Sequence, residues 1–329
     1  MRMVSASEDS IKQAAAYLKD GKLVAIPTET VYGLGANALD GEAVARIFAA
    51  KGRPQFNPLI VHVPDVAAAE KLVVMSGHAK AVASQFWPGP LTMILPRRED
   101  CPVSELCSAG LPTLAVRVPA HKAAQALLKE AGVPVAAPSA NRSGHISPTT
   151  PQHVHDSLGD NVDMILAAGA CQNGLESTVL DLSGETPVVL RAGHVSAEEI
   201  SDVLGIDVAY ELEASETPKS PGQLLRHYAP RVPVRLNAVE VLDGEALLAF
   251  GSIKFMGRKS GGAAYDMPET ALRNLSESAD LHEAAANLFR MMHDLDRPEH
   301  KAIAVMNIPD QGLGIAINDR LKRAAAAHK

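Results

Sequence analysis

The sequence is poor in aromatic residues: one Trp, five Tyr and six Phe among 329 residues, or 4%. A core for a chain of this length must then be built mainly from Val, Leu, Ile and Ala, a composition that suits α/β layers. Cysteine is equally scarce. Cys101, Cys107 and Cys171 are odd in number and lack the C-x-x-C spacing of a zinc or dithiol site, so they read as reduced thiols in a cytoplasmic compartment. Basic charge is not in excess either, because 31 Lys and Arg against 38 Asp and Glu give a formal net charge of -7. That balance argues against a protein whose main work is coating nucleic-acid phosphate, while leaving room for a local basic pocket. The opening residues MRMVSASEDS contain no apolar stretch, so no secretory leader is expected. No uninterrupted apolar run is long enough for a membrane helix.

Several chemical signatures are missing as well. There is no G-x-x-x-x-G-K-[ST] phosphate loop and no G-x-S-x-G nucleophile elbow. PTETVYGLGA supplies Gly33, Gly35 and Ala38 as a G-x-G-x-x-A pattern, but these glycines do not open a helix, and no acidic residue follows about 20 positions on to hold a ribose. His153 and His155 have no partners at metal-ligand spacing and read as surface or helix-start residues. No protein metal site is expected.

What is present is an ordinary globular composition, 47% hydrophobic and 21% charged, in a chain long enough for two domains. Ser7 and then Asp40 read as helix caps. The first precedes Ile11, Ala14, Ala15 and Leu18 on one helical face, the second Val44, Ile47 and Phe48 on another, delivering Lys51 at its end. Strands are expected at 23–26, 59–63, 91–95, 114–118, 133–137, 164–167, 178–182 and 188–191, with helices at 65–74, 77–86, 120–131 and 196–204 between and after them. This alternation predicts a mixed α/β domain over 1–206. Residues 207–231 lose periodicity and read as a linker. Strands at 234–236, 247–250 and 302–305, with helices over 268–295 and 312–326, predict a second α/β domain over 232–329.

Lys51 and Arg53 are two cations two positions apart where a helix breaks at Gly52 and Pro54. A guanidinium fork beside a mobile ammonium suits a triphosphate, although cations at a helix C-terminus also simply complement the macrodipole. The loop APSANRSGHISPT offers Ser139, Asn141 and Ser147 for phosphate, ribose or base, yet such residues are also the ordinary material of turns. Arg117 within LAVRVP, and His62 within LIVHV, stand in apolar strands. Such a residue must face solvent or meet a buried anion.

Taken in order, PTETVYGLG, KGRPQFNPL, PSANRSG, ESTVLDL, LRAGHVS, SPGQLLRHYAP and AINDRL resemble the long, two-domain threonylcarbamoyl-AMP synthases, over essentially the whole chain. The resemblance implies a YrdC-like twisted mixed sheet with surrounding helices and a concave, positively lined cavity. It also implies a smaller C-terminal domain of doubly wound α/β type. The activity implied is nucleotidyl transfer: L-threonine, bicarbonate and ATP give L-threonylcarbamoyl-adenylate and pyrophosphate. A separate complex would then transfer the product to the adenosine beside the anticodon of tRNA.

Carried over by position, the resemblance places L-threonine at Thr30, His62, Arg117 and Ser177. It places ATP at Lys51, Arg53, Asn57, Thr113, Ser139, Asn141, Ser147, Arg191, His227 and Tyr228, with Lys51 and Arg53 acting in catalysis and Mg2+ bridging the phosphates. His227 and Tyr228 would belong to a lid formed by the linker. Gln223 departs from the Met common in this family, which bears on how the lid packs. Two other readings compete: a YrdC-like RNA-binding module, and a carbamoyl-adenylate enzyme with another substrate. Direct contact with tRNA is left open.

Overall fold

The computed structural model describes residues 2–213, 219–221, 226–254, 256–259 and 261–328, so Gln223 and parts of the linker lie outside the described residues. The chain divides into two compact units. The first comprises Met1–Ser143, Pro148–Gln172 and Glu176–Leu224; the second comprises Gly144–Ser147, Asn173–Leu175 and Leu225–Lys329.

The first unit is built on strands Arg2–Ser5 (β1), Val24–Ile26 (β2), Gly33–Asn37 (β3), Ile60–His62 (β4), Leu91–Pro96 (β5), Thr113–Arg117 (β6), Val135–Ala136 (β7), Met164–Ala167 (β8), Thr178–Asp181 (β9), Val188–Arg191 (β10) and Ala209–Tyr210 (β11). They form one mixed sheet in the order β1-β8-β2-β3-β7-β4-β6-β5-β9-β10-β11. Successive residues of a strand face opposite sides, and the burial follows that rule. Val24 and Ile26 pack with Ala14, Leu18 and Leu127 of helices Glu8–Lys19 and Lys122–Ala131. Ala25, Val61, Met93 and Val116 belong to a larger cluster with Val44, Ile47 and Phe48 of helix Gly41–Lys51.

Ile60, Ile94, Ala115 and Val179 form a separate small apolar cluster. On the same face, Ile60 pairs across to Ala115 and Ala115 to Ile94, so the next cross-strand row is His62, Arg117 and Thr92. Register thus brings three polar side chains together in the middle of the sheet.

Local chemistry explains the helices that matter to the site. Ser7 caps the first helix with a reciprocal capping box. Asp40 accepts hydrogen bonds from the Glu42 and Ala43 N–H groups, and Gly52 stops that helix in the left-handed region at φ 59°. Lys51 therefore ends a helix just where the chain turns toward Arg53.

In the second unit, strands Val234–Arg235 (β12), Glu245–Ala249 (β14), Leu272–Asn274 (β16) and Ala302–Val305 (β17) form a parallel sheet in the order β12-β17-β14-β16. Glu240–Val241 (β13) pairs separately with Gly257–Arg258 (β15). Helices Leu281–Leu295 and Leu313–Ala326 complete the α/β unit. The helix expected over 268–295 is shorter, spanning only Leu281–Leu295. Leu272–Asn274 is instead a strand alongside Leu247–Ala249, and the helix begins only after Asp280, which accepts from the Glu283 N–H at 2.7 Å. Ser276, which accepts from the Asp280 N–H, bonds Ser278 and Glu283 as well, offering the backbone local partners that delay the helix. β1, β3, β11, β13 and β15 escape the sequence reading, and β11 lies inside the stretch expected as a linker, where Ala209–Tyr210 pairs with β10; β3 is Gly-Leu-Gly-Ala-Asn, whose strand propensity is low and whose place is set by pairing with β2 and β7. Among the described residues no helix is long and apolar enough to cross a membrane.

Candidate functional site

Arg117 meets a buried anion. Its Nη2 donates to Glu29 Oε1 at 2.5 Å, its Nη1 to Thr30 Oγ1 at 2.9 Å and its Nε to the Gly89 carbonyl at 3.2 Å. Both members of the ion pair are nearly inaccessible, with side-chain exposures of 4% and 7%. Arg117 and nearby backbone N–H groups hold Glu29 below the usual carboxylate range, overcoming the opposing effect of burial. Thr28 Oγ1 lies 2.8 Å from Thr30 Oγ1 and donates to the Val31 carbonyl. His62 is next to Arg117 in the strand register, and its Nδ1 has no hydrogen-bond partner among the described residues. Burial and the Arg117 cation push its pKa down to about 3, so the ring is neutral.

Ser177 extends this cluster. Its Oγ lies 2.8 Å from Thr92 Oγ1, and Arg191 donates to it through Nη2 at 3.1 Å while its Nε reaches the Ser177 carbonyl at 3.0 Å. Arg191 Nη1 also donates to the Pro221 carbonyl at 3.2 Å. The structure thus brings together Thr30, His62, Arg117, Ser177 and Arg191 through direct bonds or strand pairing.

A second cluster joins the two loops singled out by sequence. Lys51 Nζ donates to the carbonyls of Ser139 and Asn141, each at 2.5 Å, so the K-x-R turn and the S-x-N loop are tied by one ammonium. Burial, and then the neighbouring Arg53, lowers the Lys51 pKa well below its ordinary value. Arg53 supports its own turn, donating to the carbonyls of Asn57 and Pro58 at 3.1 and 2.8 Å. The Asn57 side-chain amide is buried, with neither its oxygen nor its nitrogen partnered among the described residues. An orphaned amide of this kind costs free energy unless something else satisfies it.

Thr113 stands at the far end of β6 from Arg117, about 13 Å along the strand. It lines a cavity of about 410 Å³ with Pro96, Leu111, Pro112, Ser183 and Lys219. Three residues expected at the nucleotide fall in the second unit instead. The Ser147 carbonyl is 3.2 Å from His293 Nε2. The His227 and Tyr228 rings are 4.0 Å apart, and buried Tyr228 stacks on Phe289 at 5.5 Å with Arg320 over its face.

Sequence reasoning missed Glu29, Thr28 and Thr92. Glu29 had a readable signal: it is the sole charged residue of PTETVYGLG, and a buried Arg117 needs such a partner. Thr92 had none, because its place beside Arg117 depends on β5–β6 register. Among the described residues, no three His, Cys, Asp or Glu side chains are arranged to hold a metal ion.

Two family profiles cover nearly the whole chain: one described as telomere recombination matches residues 16–193, and the C-terminal domain of threonylcarbamoyl-AMP synthase matches 195–326. Threonylcarbamoyl-AMP synthase of Pyrococcus abyssi is 41% identical over 97% of this chain and 94% of its own. That of Bacillus subtilis is 39% identical over 98% and 94%. A shorter relative, the putative threonylcarbamoyl-AMP synthase of Mycobacterium tuberculosis H37Rv, is 41% identical and matches 60% of this chain with 91% of its length. Among solved structures, Pyrococcus abyssi Sua5 complexed with L-threonine is similar at a TM-score of 0.87 and 36% identity, covering 99% of this chain and 98% of that one.

Proposed function

The chain belongs to the threonylcarbamoyl-AMP synthase family, and from that premise we propose that it joins L-threonine, bicarbonate and ATP into L-threonylcarbamoyl-adenylate, releasing pyrophosphate. The observation that carries the reading is the buried Arg117 cluster. A guanidinium has five N–H donors, and Arg117 commits three of them to Glu29, Thr30 and Gly89, which leaves two for a carboxylate. The Thr30 and Ser177 hydroxyls and the neutral His62 ring are the remaining polar groups offered to threonine.

The chemistry needs no enzyme nucleophile. Threonine's amine combines with carbon dioxide or bicarbonate, a carbamate oxygen attacks the α-phosphorus of ATP, and pyrophosphate departs. The protein has to align the carbamate with phosphorus, exclude water and stabilise the negative charge that develops. Lys51 uses two of its three N–H donors on the Ser139 and Asn141 carbonyls, leaving one for phosphate. Its burial makes it a poor home for a cation until an anion arrives, so polyphosphate and the charged ammonium stabilise each other. Arg53, Asn57, Thr113, Ser139, Asn141 and Arg191 are assigned to ATP on this reading. Ser147, His227 and Tyr228 join them by family resemblance. Mg2+ would be held by the phosphates rather than by a protein cage, because the groups assigned to ATP are cations, hydroxyls and amides.

The product would serve a separate cytoplasmic complex that threonylcarbamoylates tRNA. The test is pyrophosphate release from ATP with each substrate omitted in turn. Release should require both L-threonine and bicarbonate; equal release without threonine rules out the substrate assignment.

A further inference from the structure

Glu29 is a buried charge that neither substrate assignment uses. Oε1 is taken by Arg117, but Oε2 has no hydrogen-bond partner among the described residues, although the side chain is only 7% exposed. The nearby backbone N–H groups of Glu29 and Ala120 favour its ionised form without closing a hydrogen bond to that oxygen. An ionised carboxylate buried with a vacant oxygen calls for a donor.

Pairing with Glu29 also changes what Arg117 can attract. A lone buried guanidinium would draw in any small anion. With Glu29 beside it the pair is neutral overall, and an anion that reaches the spare Arg117 N–H groups also meets the repulsion of Oε2. A molecule carrying a cation next to its carboxylate meets no such penalty. His62 does not disturb this balance, because its ring is neutral.

We infer that Glu29 determines the specificity of the amino-acid subsite. Its free Oε2 accepts the substrate's α-ammonium while the two spare N–H groups of Arg117 hold the carboxylate, so the site selects an α-amino-acid zwitterion over the corresponding carboxylic acid. The ammonium and carboxylate are both borne by the ligand's α-carbon, as their counterparts sit side by side on the protein. When the ammonium combines with bicarbonate, one of its protons leaves in the water formed and one is released to solvent; the carbamate nitrogen keeps one N–H, and Oε2 can go on accepting it. Glu29 is thus a binding group and need not take the proton itself. The inference rests on the reading that an amino acid occupies the Arg117 cluster.

Titration calorimetry with L-threonine and with (R)-3-hydroxybutyrate, which is threonine lacking its α-amino group, tests it. The wild-type protein should prefer threonine by roughly 30-fold or more, the scale of a hydrogen bond between charged groups. Glu29→Gln, which keeps an acceptor for Arg117 but loses the charge, should cost threonine on the order of tenfold or more. The same variant should bind 3-hydroxybutyrate as well as wild type or better, read by competition. Comparable wild-type affinity for the two ligands overturns the inference without reliance on any variant. So does an equal loss of both ligands in Glu29→Gln, which would make Glu29 only a support for Arg117. A wild-type chain that binds no threonine would instead overturn the substrate reading beneath it.

Discussion

At the scale of single residues, His62 makes the protein sensitive to acid in a calculable direction. Its pKa is about 3 in the folded chain against 6.5 for the free side chain, so between those values the unfolded state binds a proton that the folded state refuses. The stability it contributes is complete above about pH 6.5 and is lost progressively down to about pH 3. By pH 4.5 the loss should be about 2–3 kcal/mol. Urea unfolding of wild type and His62→Gln at pH 7.5 and pH 4.5 checks this. The gap between them should shift by that amount in favour of the variant at acid pH, and a gap independent of pH would mean that His62 is protonated in the fold. Lys51 changes more between sequence and structure. Spacing alone suggests a phosphate ligand whose removal leaves the fold intact, but Nζ also ties the Ser139 and Asn141 carbonyls. Lys51→Ala should therefore lower stability by about 1–3 kcal/mol as well as abolish most turnover. Loss of turnover with an unchanged melting temperature would restrict Lys51 to the ligand.

At the scale of elements, the turn between Lys51 and Arg53 depends on Gly52. Its φ of 59° lies where a Cβ is unfavourable, yet an added Cβ would meet nothing within 4 Å. Gly52→Ala thus isolates backbone strain from crowding and should cost about 1 kcal/mol, or about 2–4 °C in melting temperature. Turnover should fall too if the two cations must keep their spacing. A variant that melts and turns over like wild type would show that the turn relaxes freely. This helix was legible from sequence because its signals are local: Asp40 before it, Val44, Ile47 and Phe48 on one face, Gly52 after it. The row of His62, Arg117 and Thr92 was not, since it exists only through the register of three strands distant in sequence. The same reason hid β3, while the helix expected over 268–295 failed because Leu272 and Leu275 have the spacing of a helix face, and only pairing of Leu272–Asn274 with Leu247–Ala249 makes that stretch a strand. Motif order, by contrast, supplied the candidate residues independently of any strand pairing. What it left out, Thr28, Glu29 and Thr92, are hydrogen-bond or register partners of those residues.

At the scale of the whole molecule, the second unit is more than the chain beyond the linker. It takes in Gly144–Ser147 and Asn173–Leu175 from the N-terminal part of the chain. The Ala229 N–H donates to the Gly144 carbonyl at 2.8 Å, and the Ser147 carbonyl lies beside His293. Gly174, at φ 70°, passes so close to helix Leu281–Leu295 that a Cβ would overlap the Ala285 and Ala286 carbonyls. The shorter mycobacterial relative matches 60% of this chain with 91% of its own length, so it is too short to hold both units in full. In this chain, however, the loop carrying Ser147 and the segment just before Glu176 and Ser177 are held by residues beyond 225. A fragment of residues 1–225 should therefore show amide hydrogen exchange at 144–147 and 173–175 faster by roughly tenfold or more than the full chain, since Ala229, His293 and the Ala285–Ala286 stretch that these segments pack against are gone. Gly174→Ala in the full chain should reproduce part of that effect and destabilise by about 2 kcal/mol or more, because backbone rather than a flexible side chain must give way. Unchanged exchange in the fragment would show that the first unit alone fixes both segments, and the C-terminal domain would then have no part in shaping the loop that bears Ser147.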